Sequence, residues 1–150
     1  STSALGVDSW YNQSEGTVFS DVLPLSADSL RAYVFSNGTV DKRIAHNVDA
    51  SNIYNLFLKS GGVTTSLAGN ISGLPKPLKA GLAYKSESSR GVIDGVLKTL
   101  SSTIHVPNSI NQLSLGSQNF SADGYLNGHI SRLAYFTTRL PDDKLKSITT

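Results

Sequence analysis

Two arginines and two tyrosines are the residues of this sequence best suited to holding a polar ligand. Arg31, Tyr33 and Phe35 occupy alternate positions, and alternate residues of a β-strand lie on one face of its sheet. An aromatic ring stacks on the C–H surface of a sugar, and a guanidinium binds hydroxyls or carboxylates in bidentate geometry. Tyr54 and Arg90 fall on other candidate strands. We therefore predict one ligand-binding surface formed by Arg31, Tyr33, Tyr54 and Arg90.

The same mixed face has two other interpretations. It is either an interface between chains or a second core face with Arg31 at its edge. Three further residues on candidate strands are able to share the surface: His46, Asn55 and Lys85. Trp10, the only Trp of the chain, is either a stacking platform or a core residue.

Hydrolysis of a glycosidic bond is disfavoured by the acidic residues. Such hydrolysis needs two carboxylates that flank the bond. The sequence has two glutamates, Glu15 and Glu87, and neither has an acid two residues away. The adjacent pair Asp142 and Asp143 follows Pro141, where acids stabilise the start of a helix. We therefore predict that the protein is not an enzyme.

Composition excludes several classes of site. The chain has no Cys, which removes disulfides and zinc–thiolate sites. His46, His105 and His129 lack partners at metal-ligand spacing and are expected to be surface or interface side chains. The formal net charge is +2, and the basic residues are scattered, so nucleic acid is not an expected partner. No apolar run is long enough to insert into a membrane.

Alternation of apolar and polar residues predicts an all-β fold. The pattern indicates about ten strands that form a two-sheet antiparallel β-sandwich, with a short helix after Pro141. Tight turns are expected at Asn37-Gly38, Gly61-Gly62 and Asp94-Gly95. Four leucines are expected to be buried: Leu56, Leu82, Leu133 and Leu145. We expect residues 1–150 to form one domain of a longer chain, because the sequence contains no Met to start translation.

The order of several short motifs resembles concanavalin A-like and laminin-G-like jelly-roll domains. The motifs are Gly91-Val-Ile-Asp-Gly-Val-Leu, Leu113-Ser-Leu-Gly, and the ending from Leu126 through Leu-Pro-Asp-Asp-Lys-Leu145. Ser9-Trp-Tyr-Asn-Gln-Ser-Glu-Gly-Thr-Val-Phe completes a pattern seen in such domains of bacteriophage tail fibres and tailspikes.

The resemblance implies a carbohydrate-binding module of a phage fibre that recognises bacterial surface polysaccharide. It also implies a homotrimer on the virion tail, made in the bacterial cytoplasm, where a protein without Cys needs no disulfides. The alternatives are a structural or trimerisation module without a ligand and, third, a glycoside hydrolase.

Calcium is the one cofactor that the resemblance leaves open, because laminin-G-like domains often bind it in their rim loops. The candidates are Asp21, Asp49, Asp94 and Asp123, all at predicted loops or turns. No Asp-x-Asp cluster of oxygen ligands is present. We therefore predict no metal.

Overall fold

The computed structural model describes residues 4–26, 30–49, 51–70, 73–99, 106–117 and 125–150. These contain eleven strands and one helix: β1 (Leu5–Gly6), β2 (Glu15–Pro24), β3 (Leu30–Ser36), β4 (Lys42–Val48), β5 (Ile53–Ser60), β6 (Val63–Asn70), β7 (Leu78–Lys85), β8 (Arg90–Ile93), β9 (Val96–Thr99), β10 (Gln112–Leu115), β11 (Gly128–Phe136) and α1 (Asp142–Ile148). This confirms the predicted all-β class and the short C-terminal helix.

The strands form two antiparallel sheets that pack face to face. The six-stranded sheet has the order β1-β10-β3-β4-β5-β6, and the five-stranded sheet has the order β11-β2-β7-β8-β9. Alternate residues of each strand point between the sheets, where aromatic and aliphatic side chains form the main core. Burial of these apolar surfaces is the principal stabilisation of a sandwich.

Helix α1 lies on the outer face of the five-stranded sheet. Its Leu145 is fully buried against Ala83 of β7 and Val92 of β8. Asp142 and Asp143 are in its first turn, as expected for acids near the positive end of the helix dipole. The outer face of the six-stranded sheet has no such helix among the described residues. We call this the open face.

The turn predictions are confirmed at two positions and wrong in length at a third. Asp94 and Gly95 have φ of 46° and 79°, and Ile93 pairs with Val96 across them, which defines a two-residue hairpin. Gly61-Gly62 does the same between β5 and β6. In contrast, Asn37-Gly38 opens a longer loop that ends at Lys42.

The longer loop has a local cause. The Asn37 side chain accepts hydrogen bonds from both the backbone N–H and the hydroxyl of Thr39, at 3.2 and 2.7 Å. This side-chain turn replaces the two-residue turn. Gly38 still has a positive φ of 87°.

Three of the four predicted core leucines are fully buried: Leu56, Leu82 and Leu145. Leu133 packs against the main core but is only partly buried. It lies on β11, an edge strand of the five-stranded sheet, so one of its flanks has no neighbouring strand to cover it.

Candidate functional site

The structure places the four predicted ligand-binding residues in three different parts of the molecule, so they do not form one site. Tyr33 and Tyr54 are 1% and 7% exposed and belong to the main core between the sheets. Burial raises the pKa of both phenols. The Tyr33 ring is enclosed between the sheets and is not available to stack on a sugar from solvent, and most of Tyr54 is covered by its neighbours.

A bulge in β3 explains why the predicted face is wrong. Arg31 is opposite Asn47, but Tyr33 is opposite His46, so the register shifts by one residue between them. A bulge of this kind inserts an extra residue and reverses the alternation. Arg31 therefore lies on the open face, whereas Tyr33 and Phe35 point into the core.

Arg90 lies on the opposite side of the molecule, on the outer face of the five-stranded sheet. Its Nε is 3.8 Å from Asp142 of helix α1, and Asp142 also pairs with Arg139 at 2.7 Å. Arg90 is thus part of the attachment of α1 to the sheet.

The open face carries a group of polar side chains. Cross-strand pairing aligns them in rows, of which one contains Arg31, Asn47 and Asn55 and the next contains Ala45, Phe57 and Ser66. An open depression of about 220 Å³ on this face is lined by six side chains: Arg43, Asn47, Asn55, Phe57, Thr64 and Ser66.

Arg43 is held above the depression by an aromatic ring. Its guanidinium carbon is 4.9 Å from the centroid of Phe57, which is within the range of a cation–π contact. Phe57, Val34 and Ala45 form a small buried cluster on this face, so the ring itself is fixed by packing. The arginine is therefore oriented in advance, which lowers the entropy cost of binding a ligand.

The amides and Arg31 supply further hydrogen-bonding groups. Asn47 Oδ1 and Arg31 Nε are buried and have no hydrogen-bond partner among the described residues. Buried polar atoms are usually paired. Both side chains lie in the same cross-strand row as the half-buried Asn55.

The electrostatic character of the open face is positive. None of β3, β4, β5, β6 and β10 contains Asp or Glu, whereas Arg31, Arg43 and Lys59 project from it. Lys59 is paired with Asp41 at 3.6 Å, in the loop between β3 and β4. Arg43 at the depression and Arg31 on the same face add to this positive field, which favours an anionic group.

The two glutamates lie in different local settings. Glu15 accepts a hydrogen bond from the Arg139 backbone at 2.8 Å and pairs with Lys85 at 3.3 Å. These contacts hold the pKa of Glu15 below its usual value, the Arg139 bond contributing most. Glu87 lies in an exposed turn with φ of 61°. Glu15 thus has a structural role in these contacts, and Glu87 belongs to a turn.

Of the three calcium candidates that the structure describes, two act in turns, and the expectation of a loop or turn is wrong for Asp21. Asp49 accepts hydrogen bonds from the backbone of Ser51 and Ile53, and Asp94 accepts one from Lys79. Asp21 is on β2, and Asp123 lies outside the described residues. Within the described ranges, no three His, Cys, Asp or Glu side chains are grouped so as to hold a metal ion.

Two other expectations about single residues are corrected or refined. His46 is fully buried rather than at a surface, with Nδ1 3.1 Å from the Ser20 hydroxyl. His129 is exposed, and His105 lies outside the described residues. Trp10 is 40% exposed and makes edge contacts with Phe35 and Tyr135, so it covers the core at its margin.

In the part of the chain that is described, no helix has the length and apolar character needed to cross a membrane.

Comparison with solved structures shows the fold. The chain is similar to the CBM40 of the Ruminococcus gnavus IT-sialidase, solved bound to α2,3 sialyllactose, with a TM-score of 0.77 at 13% identity over 99% of this chain and 93% of that chain. It is also similar to laminin α1 domains LG4-5 of mouse (TM-score 0.72, 11% identity, 95% of this chain and 41% of that chain).

A third similar structure is the heptameric SAP-like pentraxin of Limulus polyphemus (TM-score 0.70, 11% identity, 94% of this chain and 73% of that chain). No protein-family model and no curated protein matches the sequence. The chain therefore has the concanavalin A-like jelly-roll fold, as the order of its motifs predicted.

The sequence reasoning missed Arg43, Asn47 and Phe57. A signal was present, because Arg43 and Asn47 alternate along β4 as Asn55, Phe57 and Lys59 do along β5. Asn55 is predicted to be able to share the surface, and it does lie in the same cross-strand row as Arg31, with Asn47 between them.

Proposed function

We propose that the protein is a non-catalytic carbohydrate-binding module whose open face binds an acidic sugar. The observation that carries this proposal is Arg43, fixed over Phe57 at 4.9 Å and facing a depression lined by amides and hydroxyls. Arg31 adds a second guanidinium to the same face. A planar guanidinium binds a carboxylate in bidentate geometry.

In this proposal, the charged residue binds the carboxylate and the neutral polar residues orient the sugar ring. The Arg43 guanidinium donates to the sugar carboxylate, and Asn47, Asn55, Thr64 and Ser66 exchange hydrogen bonds with sugar hydroxyls. The depression of about 220 Å³ is below the range of about 300–1,000 Å³ typical of drug-sized ligands. We therefore expect it to hold one or two sugar units of a longer glycan.

The similar structures support the chemistry of this proposal. The R. gnavus CBM40 was solved with α2,3 and with α2,6 sialyllactose, and sialic acids carry a carboxylate. That ligand chemistry agrees with the two arginines found here, which were identified from this chain's own geometry.

We extend the proposal to the biological setting that the sequence motifs suggest. The segment from Ser9 to Phe19 resembles phage tail-fibre and tailspike domains, and the chain lacks Cys. In this setting the module is made in the bacterial cytoplasm, lies on the virion tail as a homotrimer and recognises host polysaccharide. Three shallow sites on one fibre would raise apparent affinity through avidity.

The direct test measures binding to sialyllactose by calorimetry. We expect Arg43→Gln to weaken binding by about tenfold or more, because a charge-assisted hydrogen bond contributes about 1.5–3 kcal/mol. Phe57→Leu should weaken it less, by loosening Arg43. Lys144→Gln, an exposed change on helix α1, is the matched control and should bind like the wild type.

Two controls separate the proposal from its rivals. Lactose lacks the carboxylate and should bind far more weakly than sialyllactose. Equal binding of the two sugars, or wild-type affinity in Arg43→Gln, would contradict a carboxylate site on the open face. Absence of binding to a full panel of acidic bacterial glycans would instead favour the structural module. Release of reducing ends from those glycans would favour the hydrolase.

The proposed trimer is tested by mass measurement in solution. A trimeric mass, together with host-cell attachment that falls when monomers are used at equal site concentration, is the expected result. A monomer that attaches equally well would remove avidity from the proposal and leave the sugar site intact.

A further inference from the structure

A second cavity lies between the two sheets, away from the open face. It measures about 240 Å³ and is bounded by β5 of one sheet and β7, β8 and β9 of the other. Its lining residues are Tyr54, Lys76, Leu78, Ile93, Asp94, Val96 and Lys98. We call it the edge cleft. It shares no lining residue with the depression on the open face.

The floor of the edge cleft is apolar and its rim is charged. Leu78 and Ile93 are buried at its base, whereas Val96 is 58% exposed on its wall. Lys76 and Lys98 are exposed at the rim, and neither forms an ion pair within the described residues. An apolar wall beside two lysines and one aspartate, with a net positive charge, suits a ligand with a hydrophobic ring surface and an anionic group.

The acidic residue at the rim is already engaged. Asp94 Oδ1 accepts the Lys79 backbone N–H at 3.1 Å, and the Asp94 N–H donates to Lys79 O at 2.8 Å. Asp94 is therefore held by the backbone. The two lysines leave the edge cleft with a net positive charge.

The backbone on both sides of the edge cleft is restrained. Lys76 lies between Pro75 and Pro77, whose rings fix their φ angles. On the other side, the N–H of Gly95 donates to the Thr149 hydroxyl at 3.1 Å, which ties the β8–β9 hairpin to the end of helix α1. Restraint of both rims reduces the entropy lost when a ligand is bound.

We propose that the edge cleft is a second ligand site that takes a phosphorylated sugar. The phosphate ester is held by the Lys76 and Lys98 ammonium groups, and the sugar ring packs its C–H surface against Val96. A lysine ammonium acts as a point charge and suits the tetrahedral phosphate, and an arginine fork suits both carboxylate and phosphate. The edge cleft thus offers two point charges, whereas the open face offers planar guanidinium groups.

The test is an NMR titration of the whole chain with glucose 6-phosphate as the probe. We expect saturable amide shifts around residues 76 and 94–98. The double change Lys76→Gln with Lys98→Gln should weaken this binding by about tenfold or more. Lys144→Gln is the matched control and should bind the probe like the wild type.

Three further arms decide the chemistry and separate this proposal from the open-face site. Glucose alone and inorganic phosphate alone should each bind much more weakly than glucose 6-phosphate, and Arg43→Gln should leave the titration unchanged. Equal binding of inorganic phosphate would reduce the edge cleft to a general anion site and overturn the proposal. Absence of shifts, or shifts confined to the open face, would overturn it as well. Failure of sialyllactose to bind would contradict only the open-face site.

Discussion

The Tyr33 side chain is almost completely enclosed between the sheets. It is 1% exposed and contacts the rings of Phe35 and His46 at centroid distances of 5.9 and 6.2 Å. Removal of such a ring leaves a cavity in the main core. The residue therefore contributes to stability, and any effect of its loss on ligand binding should follow from unfolding.

We expect Tyr33→Ala to lower the free energy of unfolding by about 3–5 kcal/mol, as for other large core aromatics. Urea denaturation followed by fluorescence would measure this loss. Tyr125→Ala is the matched control, because Tyr125 is 57% exposed, and it should change stability by less than about 0.5 kcal/mol. A loss for Tyr33→Ala as small as that of the control would place Tyr33 at the surface.

At the scale of elements, the hairpins depend on residues that tolerate positive φ. Asp94 and Gly95 close the β8–β9 hairpin, and this hairpin also carries Val96 and Lys98 of the edge cleft. A Cβ added to Gly95 would lie 2.7 Å from Thr150 Cγ2. The turn is therefore sensitive both to backbone conformation and to the packing of the C-terminus.

We expect Gly95→Val to destabilise the protein by about 1–3 kcal/mol, because a β-branched residue resists φ of 79°. The change in the urea midpoint would report it. Gly6→Val is the comparison, since Gly6 has no positive φ and a Cβ there meets no atom within 4 Å. If both variants were equally stable, the two-residue turn at Asp94-Gly95 would be wrong.

At the scale of the whole molecule, His46 joins the two sheets through a polar contact in the core. It lies on β4, and its Nδ1 is 3.1 Å from the hydroxyl of Ser20 on β2. Burial lowers the pKa of His46 from 6.5 to about 4. The folded protein therefore holds this imidazole neutral at pH values where the unfolded chain protonates it.

The free energy of unfolding should fall as the pH decreases from about 6.5 to about 4, by roughly 3 kcal/mol at about 1.4 kcal/mol per unit. Urea denaturation at pH 7, 5.5 and 4.5 would show this. His46→Asn should remove most of the slope, whereas His129→Gln, on an exposed histidine, should retain it. Glu15 acts at lower pH. Its pKa is lowered in the folded protein, so the stabilisation that it contributes is lost only as the pH falls below the usual pKa of 4.5. A wild-type slope in His46→Asn would show that other groups cause the effect.

The sequence alone determined the fold class, the helix and the turns whose chemistry is local. Alternation of apolar residues predicts strands because one face must be buried, and Asp94-Gly95 predicts a hairpin because few other residues adopt its conformation. The order of the motifs up to Leu145 was enough to predict a jelly roll.

Only the tertiary structure decided which residues share a surface. One bulge in β3 reversed the faces, so that Arg31 and Tyr33, two positions apart, lie on opposite sides of the sheet. Strand order then placed Arg43 and Phe57 on the same sheet face as Arg31 and left Arg90 across the sandwich. The physical reason is that side-chain alternation is a local property, whereas register and neighbouring strands depend on contacts between distant parts of the chain.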